Sequence, residues 1–496
     1  MIAIFIFLPI LLTVLIYIHS LAFFQIMQLN MYISSEYEAW LKNFGWLKNA
    51  LKKLKPGDKK PLVFTDRMKR MMKIFALFNV IIMYTSIIAY LIFGEKIALA
   101  YLLVLAFLLY IIRARSVKCA NILALPIENK INHGFYVEAQ NKIKKEKENK
   151  LKVVGITGSY GKTSTKLVLN DIVKNSLKTY ATPSSFNTPM GISKVINNEL
   201  DSGTEVFISE LGARYVGEIK EVADLVMPDI AIITNIGPCH IETFGSMENI
   251  VKTKFELIDS LKEGGLAIFN YDNPYIKEKA AEVKTRKVYI SLEDDACDYF
   301  AKDISVGEFG TEFTLIYKNN KYKLKTKLLG KHNIYNVLLS VAAAHELGMS
   351  MEDVVKAVLD VNQVEHRLSL VENPNNLIII DDAFNSNPSG AQAALDVISE
   401  FKEGKKIVIS PGMVELGDLQ YEENKKFGKN AAALVDHFII VAEVNKKAIK
   451  DGLIDGGLDE RFIHEAASLS DAQLILQKIC QAGDVILFEN DLPDNY

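Results

Sequence analysis

Three long apolar segments with few or no charged positions occupy the first 112 residues. Residues 1–34 contain no Asp, Glu, Lys or Arg, and a tight Gly94-Glu95-Lys96 turn separates the second and third segments. About 20 apolar residues in a helix cross a bilayer, whereas soluble helices keep a polar face. The pattern predicts membrane spans at about 2–28, 74–93 and 97–112. The second and third segments could instead form a buried helical hairpin.

Basic residues cluster on one side of these segments. They are Lys42, Lys48, Lys52, Lys53, Lys55, Lys59, Lys60, Arg67, Lys69 and Arg70 after the first segment, and Arg113, Arg115 and Lys118 after the third. Loops on the cytoplasmic side of a membrane are rich in Lys and Arg. We therefore expect a multi-pass protein of the cell membrane, with the lipid bilayer as a partner. Its N-terminus would lie outside, and everything after residue 113 would be cytoplasmic.

From residue 151 onward, apolar runs of strand length alternate with amphipathic helical stretches, a pattern typical of doubly wound α/β domains. The candidate strands are Lys152–Ile156, Val206–Glu210, Ile230–Asn235, Ala267–Asn270, Leu377–Asp381, Lys406–Ser410, Phe438–Ala442 and Asp484–Phe488. Residues 287–329 alternate apolar and polar positions, which predicts antiparallel strands. We expect a transmembrane region at 1–112, a cytoplasmic connector at 113–150, and two α/β domains at 151–329 and 330–496.

Composition excludes some classes of protein. The chain has 496 residues, which is more than one compact core holds, and a net charge of −3. That charge gives no general attraction to nucleic acid, so no nucleic-acid partner is expected. The four cysteines are scattered without metal-ligand spacing, which indicates reduced thiols rather than a disulfide framework.

The clearest chemical motif follows the first strand of the α/β region. Residues 153–164 read Val-Val-Gly-Ile-Thr-Gly-Ser-Tyr-Gly-Lys-Thr-Ser, a strand that leads through a glycine-rich loop into a helix. Backbone N–H groups in such a loop converge on phosphate, and the helix N-terminus adds partial positive charge. The motif predicts an ATP site formed by Gly158, Ser159, Gly161, Lys162, Thr163 and Ser164. Lys162 would reach the terminal phosphates, and the Thr163 hydroxyl would bind Mg²⁺.

Further polar residues follow the next strands. Glu210 ends one strand in Glu-Leu-Gly-Ala-Arg, and His240 follows another. Additional polar blocks are Ser185-Phe186-Asn187-Thr188, Lys252-Thr253-Lys254, His332-Asn333-Ile334-Tyr335-Asn336, Glu365-His366-Arg367, Asp381-Asp382 through Asn387, and Gly412-Met413-Val414-Glu415-Leu416-Gly417. Each residue taken alone has a structural explanation, such as a solvated strand-end carboxylate or a packed histidine. Their order along the chain is what makes the signal specific.

In this order, the motifs resemble those of the Mur ligase family over about residues 151–490. The resemblance implies a P-loop central domain, a Rossmann-like C-terminal domain, and ATP-dependent amide formation through an acyl phosphate. The implied substrates are a cell-wall peptide precursor and an amino acid or dipeptide. The similarity is greatest to members that add D-alanyl-D-alanine to a muramoyl peptide.

The same resemblance implies roles for individual residues. Thr163 and Glu210 correspond to ligands of a first magnesium, and His240 and a carbamylated Lys254 to ligands of a second. Lys162, His240 and Lys254 are thus the expected catalytic residues. Asn333 and Asn336 correspond to adenine-side positions, and Arg367 and Asp382 to residues that reach the phosphates and ribose. Ser185, Asn187 and Thr188 correspond to the substrate-side loop.

Two features depart from the family pattern. Soluble members begin with a uridine-nucleotide-binding domain, where this chain has apolar segments, so a lipid-linked acceptor is a second possible substrate. The family's late Lys-Gly-Ser-Arg segment is replaced by Glu489-Asn490-Asp491, whose two carboxylates suit an ammonium group. Two different classes of protein also share a phosphate loop. One is a non-catalytic ATP-binding membrane scaffold, and the second is a P-loop transport ATPase, which would have further spans and an aspartate-terminated strand.

Overall fold

The structure is a computed structural model that describes residues 2–43, 61–183, 186–371, 373, 376–384 and 386–492. It divides into two compact units, one that includes the residues up to Gly134 and one that spans Phe135–Leu492. Most of the basic loop predicted to be cytoplasmic, and the predicted substrate residue Ser185, lie outside the described residues.

The first unit is helical. Its helices are Ile2–Leu29, Ser34–Asn43, Asp66–Phe93 and Glu95–Glu148, of which the last continues past Gly134. Three of the four are long and apolar enough to cross a membrane. Gly94, at φ +81°, ends one of them immediately before the next begins, because glycine alone adopts this conformation without strain. The third predicted span and the predicted connector are one continuous helix, which runs through Pro126 although that residue has no backbone N–H to donate.

The first α/β domain surrounds a nine-stranded sheet in the order β2-β3-β1-β4-β5-β6-β7-β8-β9. The strands are β1 Lys152–Thr157, β2 Thr179–Ala181, β3 Val206–Glu210, β4 Ile230–Ile233, β5 Leu266–Asn270, β6 Arg286–Ser291, β7 Tyr299–Gly307, β8 Gly310–Tyr317 and β9 Asn320–Thr326. The helices are Lys162–Val173, Pro189–Glu199, Glu218–Val226, Ile241–Phe244, Met247–Asp259 and Pro274–Ala280.

Strands β1 to β7 are parallel, and only β7, β8 and β9 pair antiparallel. The prediction of antiparallel strands across 287–329 is therefore wrong for β6, which lies parallel to β5 and has mixed burial rather than strict alternation.

The second α/β domain contains a six-stranded sheet in the order β10-β11-β15-β12-β13-β14. Its strands are β10 Ser369–Val371, β11 Ile378–Asp382, β12 Lys406–Ser410, β13 His437–Val441, β14 Ile463–Ala466 and β15 Val485–Glu489. Only β10 pairs antiparallel. The helices from the domain boundary onward are Lys331–Glu346, Met351–Leu359, Pro388–Glu400, Gln420–Ala432, Lys446–Asp455 and Leu469–Ile479, with 3₁₀ turns at Gly417–Leu419 and Glu460–Phe462.

The sheet registers place the predicted chemical residues at strand ends. Glu210 is paired with Ile156 of β1, one residue before that strand ends, and β4 flanks β1 on the other side. Asp382 and Glu489 are paired at the ends of β11 and β15. Ligands of open parallel sheets bind beyond these carboxyl ends. Each domain therefore presents its polar loops at the edge where a ligand is expected.

Candidate active site

The glycine-rich loop connects β1 to the helix Lys162–Val173 and is closely packed. Gly158 (φ +154°) and Gly161 (φ +79°) have positive φ. A Cβ on Gly158 would lie 2.1 Å from the Thr234 hydroxyl, and one on Gly161 would lie 2.7 Å from the Asn336 amide oxygen. Only glycine therefore fits at these positions. Lys162 Nζ donates to the Gly158 carbonyl at 2.8 Å, so its ammonium group lies over the loop.

Glu210 is the centre of a polar cluster beside this loop. Its carboxylate is 1% exposed and accepts three hydrogen bonds, from Thr163 Oγ1 at 2.9 Å, Lys166 Nζ at 3.3 Å and Asn187 Nδ2 at 3.1 Å. Burial lowers the pKa of Lys166, although the charge of Glu210 opposes this. The predicted metal ligands Thr163 and Glu210 are thus in direct contact, and Asn187 lies beside them.

Lys254 is a buried amine near the loop cation. It is 3% exposed, and its Nζ lies 5.6 Å from the centre of the Phe244 ring. Burial lowers the pKa of Lys254 to about 7, and the charge of Lys162 contributes to the lowering. With this pKa, roughly half of the Lys254 side chains are uncharged at neutral pH. The uncharged form has the nitrogen lone pair needed to react with CO₂.

His240 lies where the two α/β domains meet. Its Nδ1 is 2.7 Å from Glu415 Oε2, and Arg214 Nη2 is 3.2 Å from the other oxygen of the same carboxylate. Burial would lower the pKa of His240, but hydrogen bonds with Cys239 and Glu415 raise it to about 9. The hydrogen bond from His240 lowers the pKa of Glu415. Burial would raise the pKa of the Cys239 thiol, but His240 and nearby cations lower it.

The two predicted adenine-side asparagines form a chain of amide contacts. Asn336 Nδ2 donates to Asn333 Oδ1 at 2.8 Å, and Asn333 Nδ2 donates to the Leu329 carbonyl at 2.9 Å. Asn336 Oδ1 accepts from Thr165 Oγ1 at 3.1 Å, on the helix that follows the phosphate loop. The two asparagines are therefore fixed directly behind Gly161.

The C-terminal domain contributes Arg367 and Asp382. Arg367 Nη1 donates to the Phe384 carbonyl at 3.2 Å, and its guanidinium stacks on the Phe384 ring at 4.4 Å. Burial lowers the pKa of Arg367, while the charges of Asp382 and Glu210 oppose this, so its guanidinium lies within electrostatic reach of the Glu210 carboxylate. Burial and the neighbouring Glu489 raise the pKa of Asp382.

Glu489 lies in the interior of the C-terminal domain. It is fully buried, and its carboxylate accepts hydrogen bonds from the Ser386 hydroxyl and from Ser410 Oγ at 2.5 Å. Asp491 is exposed. The expectation of two carboxylates that together receive an ammonium group is therefore wrong, because Glu489 is already occupied in joining the ends of β11, β12 and β15.

A cavity of about 710 Å³ lies between the two domains. Its lining includes His332 and Tyr335 at the start of one helix, and Gln392, Phe427 and Asn430 from two helices of the C-terminal domain. Neither the phosphate loop nor Glu210 lines it. His332 Nδ1 is buried there and has no hydrogen-bond partner in the described part of the chain, and burial lowers the pKa of His332 to about 4.

The remaining predicted residues have structural contacts. Ser159 Oγ donates to the Gly237 carbonyl at 2.9 Å, and Ser164 is buried within the first turn of its helix. Thr188 caps the helix Pro189–Glu199 through Gly191 N at 3.3 Å. Sequence reasoning missed Lys166, although its position three residues after Thr163 places both side chains on one helix face.

The donor set suits magnesium at one site. A hydroxyl and a carboxylate oxygen in contact, Thr163 and Glu210, are the hard ligands that Mg²⁺ takes together with phosphate oxygens and water. Within the described ranges, no three His, Cys, Asp or Glu side chains converge. His240 and an unmodified lysine make a poor second site, whereas a carbamate on Lys254 would supply the missing oxygen.

Comparison with known proteins agrees with this geometry. The profile of the Mur ligase middle domain matches residues 156–344, and that of the Mur ligase glutamate ligase domain matches residues 366–489. A UDP-N-acetylmuramoyl-tripeptide–D-alanyl-D-alanine ligase of Bacillus subtilis (strain 168) is 30% identical over 342 residues, covering 68% of this chain and 72% of the relative. The Escherichia coli (strain K12) ligase of the same name is 29% identical, covering 66% and 71%.

Among solved structures, a crystal structure of MurF from Acinetobacter baumannii superposes with a TM-score of 0.65 at 25% sequence identity. The superposition covers 74% of this chain and 78% of that one. Both family profiles begin after residue 155, so the apolar helices lie outside the matched domains.

Proposed function

Since this chain belongs to the Mur ligase family of ATP-dependent ligases, we propose that it is anchored in the membrane and adds D-alanyl-D-alanine to a muramoyl-tripeptide precursor of the cell wall. The observation that supports this most is the contact between Thr163 and Glu210 beside the phosphate loop. A phosphate loop alone serves many reactions. A phosphate loop combined with Lys254 and with Arg367 of the C-terminal domain suits phosphoryl transfer to a carboxylate.

In the proposed reaction, a carboxylate oxygen of the acceptor attacks the γ-phosphorus of ATP, and ADP leaves. Lys162 and the N-terminus of its helix hold the β- and γ-phosphates, and Arg367 balances the charge that accumulates between two anions. The amine of the second substrate then attacks the carbonyl carbon of the acyl phosphate. Phosphate leaves with the bonding electrons, and the nitrogen loses a proton as the amide forms.

Magnesium would offset the negative charge of the phosphates and the acceptor carboxylate. Thr163 and Glu210 would hold one ion, and His240 with carbamylated Lys254 a second. Burial lowers the pKa of Lys254 enough that a large fraction of it is uncharged near neutral pH, and this is the form that adds CO₂. A charged lysine in this place would repel the metal and would leave a buried cation next to Lys162.

A lipid-linked acceptor is a second candidate, favoured by the apolar helices. Three of them are long enough to cross a membrane, and they occupy the part of the chain where soluble members bind the uridine nucleotide. Basic residues beside a membrane attract anionic head groups, by about 1 kcal/mol for each Lys or Arg. The chemistry of the ligase site would be the same for either acceptor.

The test compares two acceptors with two forms of the protein. Full-length chain in vesicles and a truncated protein beginning at Phe135 are assayed for ADP release and amide formation, with UDP-linked and lipid-linked muramoyl tripeptide and D-alanyl-D-alanine. Equal rates of both forms on the UDP-linked acceptor support the first proposal. Ligation of the lipid-linked acceptor alone, by the full-length chain alone, supports the second. ATP binding without amide formation from any acceptor would indicate a non-catalytic scaffold.

A further inference from the structure

We propose that Glu415 is a positioning residue that orients His240 for the second magnesium. That metal site is then complete only when the two α/β domains are together. The inference rests on the proposed function, since it takes His240 to be a metal ligand. It concerns a side chain of the C-terminal domain that touches neither the nucleotide loop nor the first metal position.

The contacts hold the Glu415 carboxylate at both oxygens. Oε2 lies 2.7 Å from His240 Nδ1 and Oε1 lies 3.2 Å from Arg214 Nη2. Both partners belong to the first α/β domain, whereas Glu415 follows β12 of the second. About one-quarter to one-third of each of the three side chains is exposed to solvent. Water therefore weakens these ion pairs in part, but it does not surround them.

The chemistry of imidazole explains what this contact does. A neutral histidine has one protonated ring nitrogen and one with a lone pair, and only the latter binds a metal. With Nδ1–H donated to Glu415, Nε2 is the nitrogen left for the metal, which binds there as the Nε2 proton is released. Metal-binding histidines commonly donate their other nitrogen to a carboxylate, and loss of that carboxylate lowers metal affinity about 10–100-fold. The Cys239 thiol is the other hydrogen-bonding neighbour of the ring.

The loop that presents Glu415 is held rigidly. Asn424 accepts from Met413 N at 2.8 Å and donates back to the Met413 carbonyl at 2.9 Å, while Asn490 donates to the Gly412 carbonyl. Glu415 itself has φ +62°, a strained conformation for a residue with a side chain. Such strain persists where surrounding contacts over-determine it and clusters at functional sites. Here the strained residue is the one whose side chain reaches the other domain.

The experiment measures Mn²⁺ binding to the full-length chain in detergent by electron paramagnetic resonance, with a non-hydrolysable ATP analogue present. We expect two Mn²⁺ ions per chain. Glu415→Gln should retain one and bind the other about 10–100-fold more weakly. Glu422→Gln, an exposed change on the following helix, is the matched control. With Mg²⁺ in place of Mn²⁺ and the ATP analogue bound, selective ¹⁵N-histidine spectra should show His240 with its proton on Nδ1 in the wild type, and Glu415→Ala should weaken this signal.

Three further outcomes bear on the role of Glu415. Arg214→Gln breaks the bridge but leaves the Glu415–His240 contact, so we expect at most a few-fold effect. If Arg214→Gln weakened binding of the second Mn²⁺ as much as Glu415→Gln does, Glu415 would act by holding the two α/β domains together and not by orienting His240. That result would overturn the proposal. Tighter Mn²⁺ binding in Glu415→Gln would show that Glu415 competes with the metal, and would overturn it too. An unchanged second ion in His240→Gln would instead refute the metal role of His240 in the proposed function.

Discussion

Glu489 offers the sharpest test of how the C-terminal loops are held. Its buried carboxylate accepts hydrogen bonds from the hydroxyls of Ser386 and Ser410, in the loop after β11 and at the end of β12. Glu489→Ala would leave the hydroxyl protons of both serines without their acceptor, at about 1–3 kcal/mol each, although Ser410 Oγ would still accept from Gly412 N. The lower bound, about 2 kcal/mol, corresponds to roughly thirtyfold more frequent local opening.

Charge and hydrogen bonding can be separated at this position. Burial raises the pKa of Glu489, and Glu489 in turn raises that of Asp382, so the two carboxylates destabilise one another. Glu489→Gln removes the charge but can still pair with both serine hydroxyls. We therefore expect Glu489→Gln to change loop opening little and to lower the pKa of Asp382.

Hydrogen exchange read by mass spectrometry is the assay, with peptides that cover residues 383–388 and 410–415. Glu489→Ala should speed exchange in both peptides, whereas Glu489→Gln and the exposed control Asp491→Asn should not. Equal acceleration by the Ala and Gln variants would show that charge, not hydrogen bonding, holds the loops. Unchanged exchange in the Ala variant would refute the reasoning.

Four more outcomes are expected. Lys162→Ala should lower ligation about a hundredfold or more in steady-state assays, because the phosphates lose their main cation; near wild-type turnover would contradict the phosphate-loop role. Lys254→Ala should lose ligation yet still bind ATP by calorimetry, since only the second metal site is damaged. Cysteine labelling from outside intact cells should reach position 95 but not position 59, and the reverse would place the ligase domains away from ATP. The pKa of His332 is about 4 in the folded state against the ordinary 6.5, so below about pH 6.5 the unfolded chain takes up a proton that the folded chain does not. The free energy of unfolding should therefore fall by up to about 3 kcal/mol as the pH decreases from 6.5 to 4. His332→Asn should flatten this pH dependence in melting curves.

The apolar runs of the sequence were enough to predict the central parallel strands, but not the short edge strands β2 and β14. Val206–Glu210 and Lys406–Ser410, each with three consecutive apolar residues, have the predicted bounds. The strand β6 was mispredicted because partner choice is a long-range property, and alternation alone does not say whether a neighbour runs parallel. The continuous helix Glu95–Glu148 was missed because its apolar and charged parts differ in composition although its backbone does not change.

The sequence predicted those parts of the candidate site that belong to local motifs. The phosphate loop, Thr163 and Glu210 come together because strand order fixes their positions. The contact between Glu415 and His240 joins residues 175 positions apart in two domains, so no spacing rule could predict it. Glu489 was misjudged because a carboxylate in a sequence carries no sign of its burial or of the serines that surround it.

The position of β15 has a consequence for how the protein is made. This strand, Val485–Glu489, lies between β11 and β12 in the middle of its sheet, although it is the last described strand along the chain. Domains fold as units while the ribosome proceeds from the N-terminus. The apolar helices therefore leave the ribosome before either α/β domain, and the nine-stranded sheet can close next. The second sheet has a gap at its centre until residue 489 has left the ribosome, so the contact between Glu415 and His240 can form only after both sheets are complete.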